Sequence, residues 1–365
     1  MGEWQCPVES VGMTASACPQ SSFWNGKRVL VTGHTGFKGS WLTLMLKQLG
    51  AKVSGVSLPP STTPNLFQLA GIDELCESNI CDIRAADKLT VLIKSAKPEI
   101  VFHLAAQPLV RASYAEPAQT FATNVMGSVN VMEALRDVPD FRVGVFITTD
   151  KVYENREWLW PYREDDKLGG HDPYSASKAA CEFAVASYRK SFFEKNGVAI
   201  ATARAGNVIG GGDWSTDRLL PDAMRCWQAD KVLNIRNPNS VRPWQHVIEP
   251  LAAYLILAEA LWAKPTLAGA WNFGPAGHDA ISVGKVIALA VKFWPKAEVT
   301  YGNDQGPHEA GRLSLESTKA REMLGVVPHW NVAEAIERTV AWHRNLLAGQ
   351  NALALCVADL QAWGL

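Results

Sequence analysis

Residues 27–32, Lys-Arg-Val-Leu-Val-Thr, form a short apolar run without polar alternation. Such a run suits a strand covered on both faces. A glycine-rich turn follows. Residues 40–49 then carry Trp41, Leu42, Met45, Leu46 and Leu49 along a helical stripe, closed by Gly50, which suits a helix C-terminus. The same grammar recurs. Strands are expected over 52–57, 100–104, 143–148 and 198–203, with helices over 85–96 and 120–136. Their alternation predicts an α/β fold, a doubly wound Rossmann parallel sheet. After about residue 205 the pattern is less regular and richer in Gly, Pro, Asn, Arg and Trp, which predicts a smaller C-terminal α/β substrate-binding part. The division expected is a flexible leader over 1–22, a dinucleotide-binding domain over 23–205 and a substrate part over 206–365. Segments of the last return to the first domain, since 244–263 reads as a helix.

Composition then narrows the classes of function. With 365 residues, 47% of them hydrophobic, the chain can bury a large core. Its 35 basic and 36 acidic residues nearly cancel and form no basic block, so neither nucleic acid nor an anionic membrane is an expected partner. No apolar stretch reaches about 18 residues, and the start lacks the pattern of a signal peptide. The seven cysteines, at 6, 18, 76, 81, 181, 226 and 356, include no CxxC pair. Reduced thiols in a cytoplasmic protein are expected, and no metal site.

Two motifs carry chemistry. Gly33, Gly36 and Gly39 lie between the first strand and its helix, in Thr-Gly-His-Thr-Gly-Phe-Lys-Gly. Glycines there let the backbone approach a pyrophosphate, and the helix start offers N–H groups to the anion. The acidic residue that grips the adenosine ribose belongs near the end of the second strand. Ser57, Leu58, Pro59 and Pro60 stand there instead, which leaves NAD and NADP equally open. Asp82 is either a contact for the adenine amino group or a helix N-cap for the segment from Ile83. The second motif is Tyr174 and Lys178, four apart and so on one helix face. An ammonium and a positive nicotinamide both favour the phenolate, which makes the pair a hydroxyl base for hydride chemistry. Thr149, Asp150 and Lys151 follow the strand 143–148, where catalytic groups gather in doubly wound folds. The alternative for Asp150 and Lys151 is a turn cap and a solvated charge.

Over residues 23–345 the chain resembles the extended short-chain dehydrogenases/reductases, in their nucleotide-sugar 4,6-dehydratase branch. The likeness is carried by 24–42, by Phe-His-Leu-Ala-Ala-Gln-Pro-Leu-Val-Arg (102–111) and by Thr-Thr-Asp-Lys-Val-Tyr-Glu-Asn (148–155). Arg-Ala-Gly-Asn-Val-Ile-Gly-Gly-Gly-Asp-Trp (204–214) and Val-Arg-Pro-Trp-Gln-His-Val (241–247) extend it. Better-known dehydratases carry Asp-Glu where this chain has Asp150-Lys151, and that change resembles the CDP-sugar members. The resemblance implies NAD as cofactor and CDP-glucose as substrate. It implies Tyr174 with Lys178 and Thr149 as base at the sugar 4-hydroxyl, Lys151 as base at C5 and Asp150 as acid for the departing 6-hydroxyl. Lys151 must then be neutral, through burial or nearby positive charge. Thr35, Phe37, Lys38, Leu104, Ala105 and Ala106 join the glycines, Asp82 and Ile83 at the cofactor. Arg111, Arg218, Arg236 and Arg242 are candidates for the diphosphate, since the guanidinium fork matches phosphate. Asn207, His246 and Asn272 are further substrate candidates, while Trp214, Trp244 and Trp271 read as packing. The resemblance also implies a homodimer or homotetramer, built by the helix from Thr120 and the helix carrying Tyr174. The competing readings are a nucleotide-sugar 4-epimerase, a dehydratase of another nucleotide sugar, and a non-catalytic nucleotide sensor.

Overall fold

A computed structural model describes residues 17–275, 277–302 and 311–365. The described residues form twelve strands. They are β1 (Arg28–Thr32), β2 (Lys52–Ser57), β3 (Glu77–Ile80), β4 (Ile100–His103), β5 (Val143–Ile147) and β6 (Ala199–Ala205), followed by β7 (Asn207–Ile209) and β8 (Leu233–Ile235). Then come β9 (Val241–His246), β10 (Ala270–Phe273), β11 (Ala280–Ser282) and β12 (Val299–Tyr301). Seven of them form one sheet in the order β10-β6-β5-β4-β1-β2-β3. Every pairing in it is parallel. Val29, Leu30, Val31, Ile100, Val101, Phe102, Val143, Val145 and Phe146 are all buried, as expected when helices cover both faces. The strand order reverses between β1 and β4. Ligands of open α/β sheets bind outside the carboxyl ends of the strands at such a point.

The chain after residue 205 contributes to this layer as well. β10 extends the sheet beside β6, and the helix Ile248–Ala263 packs against β5 and β6. Two small sheets complete the C-terminal part, β11-β9-β7 and β12-β8. The expected helix over 244–263 is therefore too long at its start. Residues 241–246 are β9, hydrogen-bonded between β7 and β11, and the helix begins at Ile248. A short apolar run buried on both sides reads the same as a buried helix, so periodicity does not separate them. The expected helix over 120–136 is divided into Pro117–Phe121, a π-helical turn at Ala122–Met126, and Gly127–Leu135.

The leader expected over 1–22 also needs correction. Residues 1–16 lie outside the described residues. From Ala17 onward the chain is docked. Ala17 N–H donates to the Gly325 carbonyl at 3.0 Å. Gln20 N–H and Trp24 Nε1 both donate to Glu259 Oε1, at 2.8 and 2.6 Å. The indole of Trp24, at the end of the helix Ser21–Trp24, is wholly buried. Its burial is a tertiary event that local polarity did not signal. Cys76, Cys81, Cys181, Cys226 and Cys356 are free thiols. No helix among the described residues is long and apolar enough to cross a membrane.

Candidate active site

The carboxyl ends of β1 to β6 open onto a cavity of about 1500 Å³ that extends under the C-terminal part. On the β1 side the wall is the loop Gly33–Gly39, which enters the helix Phe37–Gln48. Two glycines there are dictated by space. Gly33 has φ +79°, and a Cβ on it would lie 2.8 Å from the Ala105 nitrogen. A Cβ on Gly39 would lie 2.0 Å from the Gly33 carbonyl oxygen. The tight loop leaves backbone exposed at the helix start, where the pyrophosphate of a dinucleotide would be held. Thr35 Oγ1 is tied to Ser57 Oγ and the Leu58 carbonyl, both at 2.8 Å, which joins this loop to the end of β2. His34 points away into the core. Burial pushes its pKa down to about 4, and its Nε2 meets Ser78 Oγ at 2.7 Å.

Asp82, Ile83, Leu104, Ala105 and Ala106 line the same wall, after β3 and β4. Asp82 does not cap a helix at Ile83, because the next helix starts at Ala86. Its carboxylate is instead gripped by Arg84, whose Nε donates to both oxygens at 3.0 Å and whose NH2 donates at 2.5 Å. That hydrogen bonding lowers the Asp82 pKa.

The catalytic candidates converge from two elements. Thr149, Asp150 and Lys151 follow β5, with Asp150–Val152 forming a single 3₁₀ turn. Tyr174 and Lys178 project from the helix Pro173–Tyr188. Asp172 accepts the Ser175 N–H at 2.9 Å as its N-cap, with Pro173 as first helical residue. Lys178 Nζ donates to the Ile147 carbonyl at 3.1 Å, so the helix is anchored to the end of β5. Tyr174 is buried beside Thr149, to which it is hydrogen-bonded. Asp150 is 1% exposed. Its Oδ1 accepts from Thr149 Oγ1 at 2.9 Å, while its buried Oδ2 has no hydrogen-bond partner among the described residues. A buried carboxylate oxygen without a partner carries a desolvation cost. It is also the atom available to a ligand.

Electrostatics modify the expectation for this cluster. Burial pushes Tyr174 up to about 12, the Thr149 hydrogen bond lowers it, and the charge of Asp150 raises it again. Burial lowers the pKa of Lys178. In this state the tyrosine is a firmly protonated phenol. Lys151 is only half-buried. Lys38 brings another amine to the same end of the cavity. Its Nζ donates to Tyr254 Oη at 3.0 Å. Burial, then Arg218 and Lys178, push it down to about 7, opposed by Asp150.

Arg111, Asn207, Arg218, Arg236 and Arg242 line the far half of the cavity. Sequence reasoning missed what holds them. Asp213, 3% exposed, accepts from Arg218 NH1 at 3.0 Å, and Asp217 lies between Arg111 and Arg236. A loop of irregular spacing carries no periodic signal for such pairs.

Two substrate candidates are not at the cavity. His246 is fully buried against Trp41 and Trp330, and burial pushes its pKa down to about 3. Asn272 is also fully buried. Its Oδ1 accepts from Tyr153 Oη at 2.7 Å, and its Nδ2 donates to the Tyr162 carbonyl at 2.9 Å. Asn272 thus spends its hydrogen-bonding capacity inside the protein, whereas His246 Nε2 has no hydrogen-bond partner among the described residues. Trp271 is buried as expected, whereas Trp214 and Trp244, though packed, also border the cavity.

A doubly wound sheet with a glycine loop at its switch point and a YxxxK helix over β5 defines a dinucleotide-dependent enzyme. The model of the NAD dependent epimerase/dehydratase family matches residues 29–272, and the chain belongs to that family. Among its relatives is CDP-glucose 4,6-dehydratase of Salmonella typhimurium, 47% identical over 91% of this chain and 94% of that protein. The dTDP-glucose 4,6-dehydratase of Xanthomonas campestris pv. campestris is 27% identical over 86% of this chain and 92% of that protein. The fold matches UDP-glucose 4-epimerase of Thermotoga maritima with TM-score 0.75 at 24% identity, covering 87% of this chain and 99% of that one.

Proposed function

We propose that the chain dehydrates CDP-glucose to CDP-4-dehydro-6-deoxyglucose, with NAD as the resident cofactor. The observation that carries this reading is Asp150. It is an acid buried beside Thr149 and Tyr174, with one carboxylate oxygen left for a ligand. An epimerase, which moves a hydride at one carbon, has no use for an acid there. The 47% identity to a CDP-glucose 4,6-dehydratase supports the nucleotide.

The Gly33–Gly39 loop, Asp82, Ile83 and Leu104–Ala106 would hold NAD, which when bound accepts the C4 hydride and returns it to C6. Arg111, Arg218, Arg236 and Arg242 grip the diphosphate. Tyr174, helped by Lys178 and Thr149, takes the proton of the 4-hydroxyl. A C4 ketone acidifies the C5 proton, which Lys151 removes. Asp150 protonates the 6-hydroxyl, which leaves as water. C5 takes its proton back from Lys151 as C6 receives the hydride, and the 4-hydroxyl proton taken up at Tyr174 makes good the one Asp150 gave, so the net change is loss of one water and the cofactor ends as it began.

Incubation of the purified protein with NAD and CDP-glucose is expected to yield a 4-keto-6-deoxy sugar, read by its absorbance in alkali. Asp150→Asn is expected to suppress that product by roughly 10²–10⁴-fold, the usual worth of a positioned acid. Turnover of another nucleotide glucose alone, or a C4 epimer without ketone, overturns the reading.

A cytoplasmic homodimer completes it. The helix pair formed by Pro117–Leu135 and Pro173–Tyr188 leaves Phe121, Met126 and Phe183 exposed at 39%, 53% and 62%. A dimer or a tetramer of dimers in analytical ultracentrifugation is expected, and a monomer at micromolar concentration contradicts it.

A further inference from the structure

We infer that Asp217 is a resident counter-ion of the diphosphate subsite, occupying the space between two arginines until substrate displaces it. This rests on the proposed diphosphate role of those arginines. Asp217 Oδ1 lies 3.8 Å from Arg111 Nε and 3.7 Å from Arg236 NH2. Arg111 belongs to the helix Val110–Ala115 after β4, and Arg236 directly follows β8, so one carboxylate links two elements of the cavity wall that are far apart in the chain.

Its contacts differ from those of its neighbour in the same loop. Asp213 is buried, holds Arg218 at 3.0 Å and accepts the Ser215 N–H at 3.0 Å. That acid is built into the scaffold. The Asp217 side chain is 43% exposed, and both of its arginine contacts exceed the 2.7–2.9 Å of a charge-assisted bond. Exposed pairs of this kind contribute little, so they part readily. A diphosphate brings more charge and more acceptor atoms to the same guanidinium groups. Asp217 therefore balances Arg111 and Arg236 while the cavity lacks substrate, competes with the incoming diphosphate, and speeds its departure.

The backbone allows a clean test. Asp217 sits at φ +57°, a conformation that asparagine also tolerates. Asp217→Asn thus removes the charge and keeps the shape. With the full-length protein saturated with NAD, calorimetric titration with CDP is expected to show binding about three- to tenfold tighter in Asp217→Asn. The KM for CDP-glucose is expected to fall by a similar factor with no rise in kcat, and Asp217→Glu is expected to stay near wild type. Binding of CDP by Asp217→Asn that is unchanged or weaker overturns the inference, because the carboxylate would then be positioning the arginines. A wild-type protein that binds no CDP at all defeats the proposed substrate instead.

Discussion

Tyr174→Phe is expected to lower CDP-glucose turnover by roughly 10²–10⁴-fold, the range for a positioned general base. It should leave NAD binding and the unfolding midpoint close to wild type. The phenol oxygen is the one atom removed, and its partner Thr149 keeps a second acceptor in Asp150 Oδ1 at 2.9 Å. The physical interest lies in the starting point. Burial holds this phenol up at about 12, so ionisation must be driven by charges that arrive with the ligands. The sign follows for wild type. Deprotonation is favoured as pH rises, so kcat/KM should increase with pH until Tyr174 in the loaded site is ionised. The ascending limb should be absent from whatever activity Tyr174→Phe retains. Undiminished turnover in Tyr174→Phe would remove the tyrosine from the chemistry.

Glu182→Gln is expected to cost about 3–5 kcal/mol of stability, the range for breaking a buried ion pair by deleting one partner. Glu182 lies two turns beyond Tyr174 on the same helix and is 4% exposed. Its carboxylate is fully used. Arg204 Nε and NH2 donate to it at 2.9 Å each, Thr202 Oγ1 at 2.7 Å and Thr148 Oγ1 at 2.5 Å. Arg204 NH1 continues to Tyr153 Oη at 2.8 Å, and Tyr153 Oη donates in turn to Asn272. The pair locks the catalytic helix to the ends of β5 and β6. Without the carboxylate, the Arg204 charge stays buried and uncompensated. Urea unfolding measures the loss. Removing both charges, as Glu182→Gln with Arg204→Met, should recover a good part of it. A single Glu182→Gln within about 0.5 kcal/mol of wild type would show that the pair does not hold the helix, since ordinary surface changes stay in that range.

The cavity wall was legible where chemistry follows local pattern. A buried strand, a glycine turn and an amphipathic helix occur in consecutive residues, so the loop at Gly33, Gly36 and Gly39 could be placed before any coordinates. Tyr174 and Lys178 share a helix face by spacing alone, and Thr149–Lys151 follow a strand that is unmistakably apolar. The failures have one cause. His246 and Asn272 are polar residues inside resembling motifs, yet their surroundings are Trp41, Trp330, Tyr153 and Tyr162, which come from distant parts of the chain. A polar side chain looks the same in one dimension whether it meets a ligand or a buried partner.

Periodicity and turn chemistry were enough to establish the alternating α/β order, the parallel sheet and the dinucleotide loop, because strand and helix signals are local. The family resemblance added the roles of Asp150 and Lys151 in the elimination. Folding alone decided the electrostatics. It buried Tyr174 until its proton is held firmly, left Lys151 half-exposed, and drew Lys38 towards Asp150 and Lys178. It also set Asp217 across Arg111 and Arg236. The reason is range. Charges and desolvation act through space between residues from about twenty to more than a hundred positions apart, and no local pattern of hydrophobic and polar residues records those distances.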